Sequence, residues 1–226
     1  MFKKITVIGS GLMGSAIAAH FTNAGCSVNL LDIVDKKFKN KNHIVDQAIK
    51  KLLKIKPNSF TLNSNVKLIK PGNLDDNLNI INDSDWVIEA IIEDLKAKNI
   101  LYQKIDNIMK DDLIVSSNTS TIPLKLLTEG LSKKFKKNFF ITHFFNPPRY
   151  MKLVEIIPSI KTNKDLIKPM ATFFEEVLGK GVVYAKDTPN FIANRIGVFG
   201  MMTILDVARK LKMSVEDVDA LTGTLI

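Results

Sequence analysis

What the sequence lacks narrows its function first. There is a single cysteine, Cys26, in 226 residues. That excludes an internal disulfide framework and suits a reducing compartment, so the cytoplasm is the expected location. No apolar run reaches the roughly 18 residues that a bilayer span needs. The most apolar late stretch, Phe191 to Val207, is broken by Arg195 and Asp206, and no membrane association is expected. Met1-Phe2-Lys3-Lys4 leads directly into a short strand pattern, which argues against a signal peptide. Arginine is scarce too, occurring only at Arg149, Arg195 and Arg209, so the net charge of +9 is almost entirely lysine. The lysines are scattered rather than blocked, which reads as a solvated surface and not as a nucleic-acid interface. A basic rim of this kind would still attract a phosphate-bearing substrate. No metal site is expected.

What is present begins with Lys4-Ile5-Thr6-Val7-Ile8, a buried-strand run that ends in Gly9-Ser10-Gly11-Leu12-Met13-Gly14. A helix follows through Ala16, Ile17, Ala19 and His20 to Asn23-Ala24-Gly25. A second strand, Ser27 to Leu31, ends at Asp32. This is a βαβ unit with its glycines in the first turn and an acid after the second strand. Gly9 permits the tight turn, Gly11 lets backbone amides approach a pyrophosphate, and Gly14 lets helix and strand pack closely. Gly9, Gly11, Leu12, Met13 and Gly14 therefore form the expected cofactor loop, with the helix N-terminus offering free N–H groups to the phosphates. Asp32 would accept from the adenosine ribose hydroxyls and favour NAD. Lys36 and Lys37 lie close by and keep a 2′-phosphate open.

Residues 34–65 carry polar helix patterning. Strands are then expected at Val66–Ile69, Trp86–Ala90 and Leu113–Ser116, with a helix from about Leu95 to Met109 between the last two. The alternation predicts an α/β fold: a Rossmann-type, doubly wound, mostly parallel sheet over residues 1–186. In such sheets ligands sit at the carboxyl ends of the strands. Three polar clusters fall there: Glu89/Glu93, Ser116 to Ser120, and His143-Phe144-Phe145-Asn146. Further on, a helix is expected at about Lys164 to Leu178, then a strand at Val182–Tyr184. A long apolar helix should start with Thr188 as N-cap and Pro189 at its first position. A last one should open at Ser214-Val215-Glu216-Asp217. Residues 187–226 read as the start of an all-helical second domain, cut off before it can cover its own first helix.

Ile141-Thr142-His143-Phe144 sets a histidine at the end of an apolar strand, and Met151-Lys152-Leu153-Val154-Glu155 places a carboxylate inside the next. Histidine titrates near neutrality and suits a general base, and a carboxylate on one ring nitrogen would fix its tautomer. The turn forced by Pro147 and Pro148 could make His143 and Glu155 neighbours. From spacing alone, a hydrogen-bonded structural histidine is an equal alternative.

The phosphate loop, Ser117-Asn118-Thr119-Ser120, His143-Phe144-Phe145-Asn146-Pro147, Met151 to Glu155, and Asp187-Thr188-Pro189-Asn190-Phe191-Ile192-Ala193-Asn194-Arg195 occur in that order. In this they resemble the L-3-hydroxyacyl-CoA dehydrogenase family. His143 through Tyr150, with Lys70-Pro71-Gly72-Asn73, is similar to the branch fused to an enoyl-CoA hydratase. The resemblance implies NAD-dependent oxidation of a 3-hydroxyacyl-CoA to the 3-ketoacyl-CoA in fatty-acid β-oxidation. It implies that His143 takes the hydroxyl proton, Glu155 orients His143, Ser120 hydrogen-bonds the reacting oxygen and Asn194 helps hold the substrate carbonyl. Glu93, Lys98 and Asn146 match family positions at cofactor and substrate. Lys54 and Lys56 are candidates for CoA contacts only. The family's second domain continues past this chain's end and makes a dimer, so a homodimer, or association with a missing C-terminal portion, is the expected partnership. The alternative is a non-catalytic NAD-binding fragment.

Overall fold

In a computed structural model of the protein, residues 2–223 are described. Eight strands form one sheet: β1 Lys4–Ile8, β2 Ser27–Asp32, β3 Ile69–Asn73, β4 Trp86–Glu89, β5 Ile114–Ser117, β6 Phe139–Phe144, β7 Leu153–Pro158 and β8 Gly181–Tyr184. Their spatial order is β3-β2-β1-β4-β5-β6-β7-β8. All neighbours run parallel except β6 and β7. The order reverses between β1 and β4, the switch point at which doubly wound sheets open a ligand crevice. The expected mostly parallel, Rossmann-type sheet is what the chain forms.

The helices are α1 Leu12–Asn23, α2 His43–Leu52, α3 Leu95–Ile108, α4 Leu124–Leu127, α5 Lys133–Asn138, α6 Ile167–Thr172, α7 Ala193–Leu211 and α8 Val215–Thr222. Both sheet faces are covered. One cluster gathers Ile17, Phe21, Trp86, Phe144 and Phe174; the other gathers Leu101, Tyr102, Phe135, Phe139 and Ile157. That two-sided cover explains why β6 is buried at every position and reads as a nearly continuous apolar run. Its few polar atoms pair inside the sheet: the Ser116 and Thr142 hydroxyls lie 2.8 Å apart, and the Trp86 indole N–H donates to Ser116 at 2.9 Å.

Three expected elements shift. The strand expected at 66–69 begins at Ile69, because Asn63–Leu68 winds as a 3₁₀ helix first. The helix expected over about 164–178 is three segments: a 3₁₀ turn, α6, and a π-helical stretch at Phe173–Val177. The helix expected from Pro189 starts at Ala193 instead. Asn190 and Phe191 take left-handed backbone conformations, with φ of 64° and 48°, which a right-handed helix cannot include. The Ser214 cap forms as expected, with a reciprocal box to Asp217. Residues 224–226 of the expected second unit lie outside the described residues. No helix among the described residues is long and apolar enough to cross a membrane.

Candidate active site

The switch point is built by close approach. Gly9, at φ +101°, sits so near the end of β4 that an added Cβ would lie 2.5 Å from the Ala90 carbonyl oxygen. A Cβ on Gly14 would meet the Gly9 carbonyl oxygen at 1.9 Å, so α1 presses directly on the loop. At Gly11, by contrast, a Cβ would meet nothing within 4 Å. Gly11 also provides no side-chain cap to α1, which leaves the first-turn N–H groups available to an anion. Open space above Gly11 with uncapped donors beneath it is what a bound pyrophosphate requires, so the residues present fit a dinucleotide. The loop borders an apolar cleft of about 650 Å³ lined in part by Leu12, Met13, Asp32, Ile33, Ile91 and Lys104. Asp32 sits at its rim, one oxygen accepting from the Ser10 N–H and hydroxyl, both at 2.6 Å, and the other from the Ile33 N–H at 2.7 Å. Those bonds hold the carboxylate at the end of β2, beside the loop.

Across the sheet, the antiparallel pairing of β6 and β7 puts His143 directly opposite Glu155. His143 Nδ1 lies 2.7 Å from Glu155 Oε2, and both residues are buried. A carboxylate can only accept, so Nδ1 carries the proton, and in the neutral ring Nε2 presents its lone pair. That nitrogen lies 3.1 Å from the Ser120 hydroxyl. Phe145 and Phe191 stand tilted to the imidazole, with ring centroids 4.5 and 5.4 Å away, and confine its rotation. Glu155 has a second partner set: Oε1 accepts from the Ile192 and Ala193 N–H groups at 3.0 and 2.9 Å. The carboxylate thus caps α7, which explains why that helix begins at 193.

Ser120 is held in place by Glu93, whose Oε1 accepts from the N–H groups of Ser120 and Thr121 at 3.0 and 3.1 Å and from the Thr119 and Thr121 hydroxyls. Burial pushes the Glu93 carboxyl up, but these bonds and the Lys98 charge more than offset it, leaving it below the ordinary value. Lys98 is 1% exposed; its ammonium lies 2.5 Å from Glu89 and 3.3 Å from Glu93. The structure therefore brings His143, Glu155 and Ser120 together, with Glu93 and Lys98 behind them. Asn194 is the second residue of α7, next to the capped Ala193. Asn146 is exposed in the turn after β6. Neither asparagine makes a side-chain hydrogen bond among the described residues. Lys54 and Lys56 are exposed beyond α2.

Two residues carry more than their sequence positions suggested. Glu89 reads as one member of a strand-end cluster, yet it is fully buried and organises the base of the site. Its apolar neighbourhood, Trp-Val-Ile-Glu-Ala, was the available signal, since a carboxylate inside a buried strand must be paired. His20 reads as a helix-face residue, yet it is only 7% exposed and neither ring nitrogen has a partner among the described residues. Burial, with the charges of Lys180 and Arg149, lowers its pKa from 6.5 to about 3. Nothing in its sequence neighbourhood signals this.

A profile of the family described as "3-hydroxyacyl-CoA dehydrogenase, NAD binding domain" matches residues 4–188. A Deinococcus radiodurans protein named "Probable 3-hydroxyacyl-CoA dehydrogenase" is 46% identical over 221 residues, covering 98% of this chain and 64% of its own length. A Rickettsia felis protein named as a fatty acid oxidation complex trifunctional enzyme is 48% identical over 197 residues, covering 87% of this chain and 27% of that one. Among solved structures, the (S)-3-hydroxybutyryl-CoA dehydrogenase of Ralstonia eutropha superposes with a TM-score of 0.77 at 26% identity, over 96% of this chain and 75% of that one. The chain thus spans about two thirds of the first of these relatives and about a quarter of the second.

Proposed function

Because the chain belongs to the 3-hydroxyacyl-CoA dehydrogenase family, through its NAD-binding domain, we propose that it oxidises a 3-hydroxyacyl-CoA to the 3-ketoacyl-CoA with NAD, as a step of fatty-acid β-oxidation. The observation that carries this reading is the Ser120–His143–Glu155 line, held at 3.1 and 2.7 Å. It stands at the strand ends, on the same sheet edge as the phosphate loop. Gly9, Gly11, Leu12, Met13 and Gly14 would hold the pyrophosphate, and Asp32 the adenosine ribose. When bound, NAD supplies the hydride acceptor. His143 Nε2 then receives the hydroxyl proton, while Glu155, fixed through Nδ1–H, stabilises the imidazolium that results. The Ser120 hydroxyl hydrogen-bonds the reacting oxygen, and Asn194 helps hold the substrate carbonyl. Glu93 and Lys98 serve cofactor and substrate by holding the loop that carries Ser120, and Asn146 borders the site. A reducing compartment such as the cytoplasm suits the lone buried Cys26.

A second reading is favoured by α7, none of whose residues is buried. In it, this chain binds NAD but turns over only when another chain, a second copy or a C-terminal portion like that of its longer relatives, covers that helix. Purified chain should be assayed for acetoacetyl-CoA reduction by loss of NADH absorbance, beside an NADH-binding titration and a His143→Ala control. Turnover that His143→Ala abolishes supports the first reading. NADH binding without turnover supports the second, and absence of binding defeats both.

A further inference from the structure

Glu89 is a buried group that the dehydrogenase reading leaves without a role. It ends β4, is 0% exposed, and its two carboxylate oxygens collect four donors. Oε1 accepts from the Lys98 ammonium at 2.5 Å and the Ile91 N–H at 2.7 Å. Oε2 accepts from the Ser117 hydroxyl at 2.6 Å and from the Tyr102 phenol. Tyr102 comes from the interior of α3 and is itself fully buried, and burial beside the Glu89 charge raises its phenol well above the ordinary range. A buried ion pair is a weak source of stability, since an apolar pair of similar volume often does as well. A carboxylate saturated by four donors, two from α3, one from the end of β4 and one from β5, does something an apolar pair cannot, which is to fix directions.

Those directions lead to the reacting groups by two routes. The first runs through Lys98, whose ammonium also reaches Glu93 at 3.3 Å; Glu93 in turn binds the backbone of Ser120 and Thr121. The second runs through the end of β5. Glu89 holds Ser117 by its carboxylate and the Asn118 N–H by its own carbonyl, at 2.7 Å. The Asn118 side-chain carbonyl then accepts from the Phe144 N–H at 2.9 Å, one residue past His143. One route ends on Ser120 and the other beside His143, the two residues that meet at 3.1 Å.

We propose that Glu89 is a positioning residue for the Ser120–His143 pair, acting as a negatively charged hub that sets their separation through Lys98–Glu93 and through Ser117–Asn118. It touches neither substrate nor cofactor. The consequence for turnover rests on the dehydrogenase reading above; the effect on local geometry does not.

The test compares wild type with Glu89→Gln and Tyr102→Phe, the latter removing one donor to Glu89 from a helix interior outside the reacting groups. In ligand-free protein, the amide resonances of Ser120 and Thr121 and the ring-nitrogen resonances of His143 are expected to move in both variants, more in Glu89→Gln. Resonances along α1 should stay. If wild type turns over, kcat should fall about tenfold or more in Glu89→Gln, since small misplacements of reacting groups are costly, with the KM for NADH held within about threefold. Tyr102→Phe should move kcat the same way by less. Folded Glu89→Gln with unmoved Ser120 and His143 signals, or with kcat unchanged, overturns the proposal. If Glu89→Gln fails to fold, Tyr102→Phe decides by the same signals. A wild type without turnover would count against the dehydrogenase reading, while the resonances would still judge the hub.

Discussion

Strand β6 and helix α7 are both rich in apolar residues, yet every residue of β6 is buried and none of α7 is. In β6 the apolar side chains find helices on each face of a sheet, and the two polar ones that matter, Thr142 and His143, find partners within it. In α7, Ile196, Phe199, Met202 and Leu205 are each at least 60% exposed. Fully burying a side chain of that size is worth about 1.5–3 kcal/mol, and on α7 most of that stabilisation is left unrealised, whereas large exposed apolar patches are uncommon on monomeric proteins. Glu155 connects the two regions. One of its oxygens holds His143 in the buried part, and the other caps the open helix. The His143–Glu155 pair is therefore buried in the sheet yet anchored to a helix that no described residue buries.

The largest effect that could break this comparison comes from Glu155→Gln. The amide oxygen can still cap α7, but the amide N–H would face His143 Nδ1 and reverse the ring's tautomer. Turnover should fall about 10²–10⁴-fold with α7 still helical by circular dichroism. A drop of less than about tenfold would mean that the dyad does not act as a base.

Next is Gly14→Ala. The added Cβ falls 1.9 Å from a carbonyl oxygen, so either the loop or α1 must shift. A loss on the order of 3 kcal/mol in chemical denaturation is expected, together with loss of NADH binding. Unchanged affinity for NADH would show that the loop does not carry the cofactor.

A smaller, pH-dependent effect belongs to His20. Its folded pKa is depressed to about 3 from 6.5, so the unfolded chain binds the extra proton between those values. The stability from keeping His20 neutral is fully present above pH 6.5 and is lost as pH falls towards 3. Replacing it by leucine should flatten the acid limb of the unfolding free energy, from chemical denaturation between pH 7 and 4, by an amount on the order of 1–3 kcal/mol. Identical acid limbs would place the proton elsewhere. The smallest effect on stability should come from Phe199→Ser, within about 0.5 kcal/mol because nothing covers the ring. It should nevertheless reduce any self-association seen by sedimentation. A cooperative loss of stability would show that α7 is already packed against something in solution.

Much of this was legible locally. The glycines of the first turn, the acid after the second strand and the alternation of strands and helices depend on spacing within one or two elements, and the sheet follows them apart from the late start of β3 and the broken helix at 164–178. His143 and Glu155 were legible as a candidate pair because one turn separates their strands. The start of α7 is not legible locally. Thr188-Pro189 is a good local helix signal, but it lost to a left-handed turn at Asn190 and Phe191 and to a cap supplied from β7. Glu155 lies 37 residues before Ile192, and no window around residue 190 contains it. Glu93 was legible as a candidate, but its grip on residues 119–121 crosses from β4 to β5.

By itself, then, the amino-acid sequence determined the order of the strands, the glycine-rich first turn and the candidate pair His143 and Glu155. These follow from backbone sterics at glycine and from apolar periodicity, which act over short stretches of chain. Only the tertiary structure decided that Ser120 meets His143, that Glu89 holds four donors, that His20 is buried without a partner among the described residues, and that α7 begins where Glu155 can cap it. Each of these depends on which distant groups are left to satisfy a hydrogen bond once water has been excluded, and that is settled only when the sheet has closed.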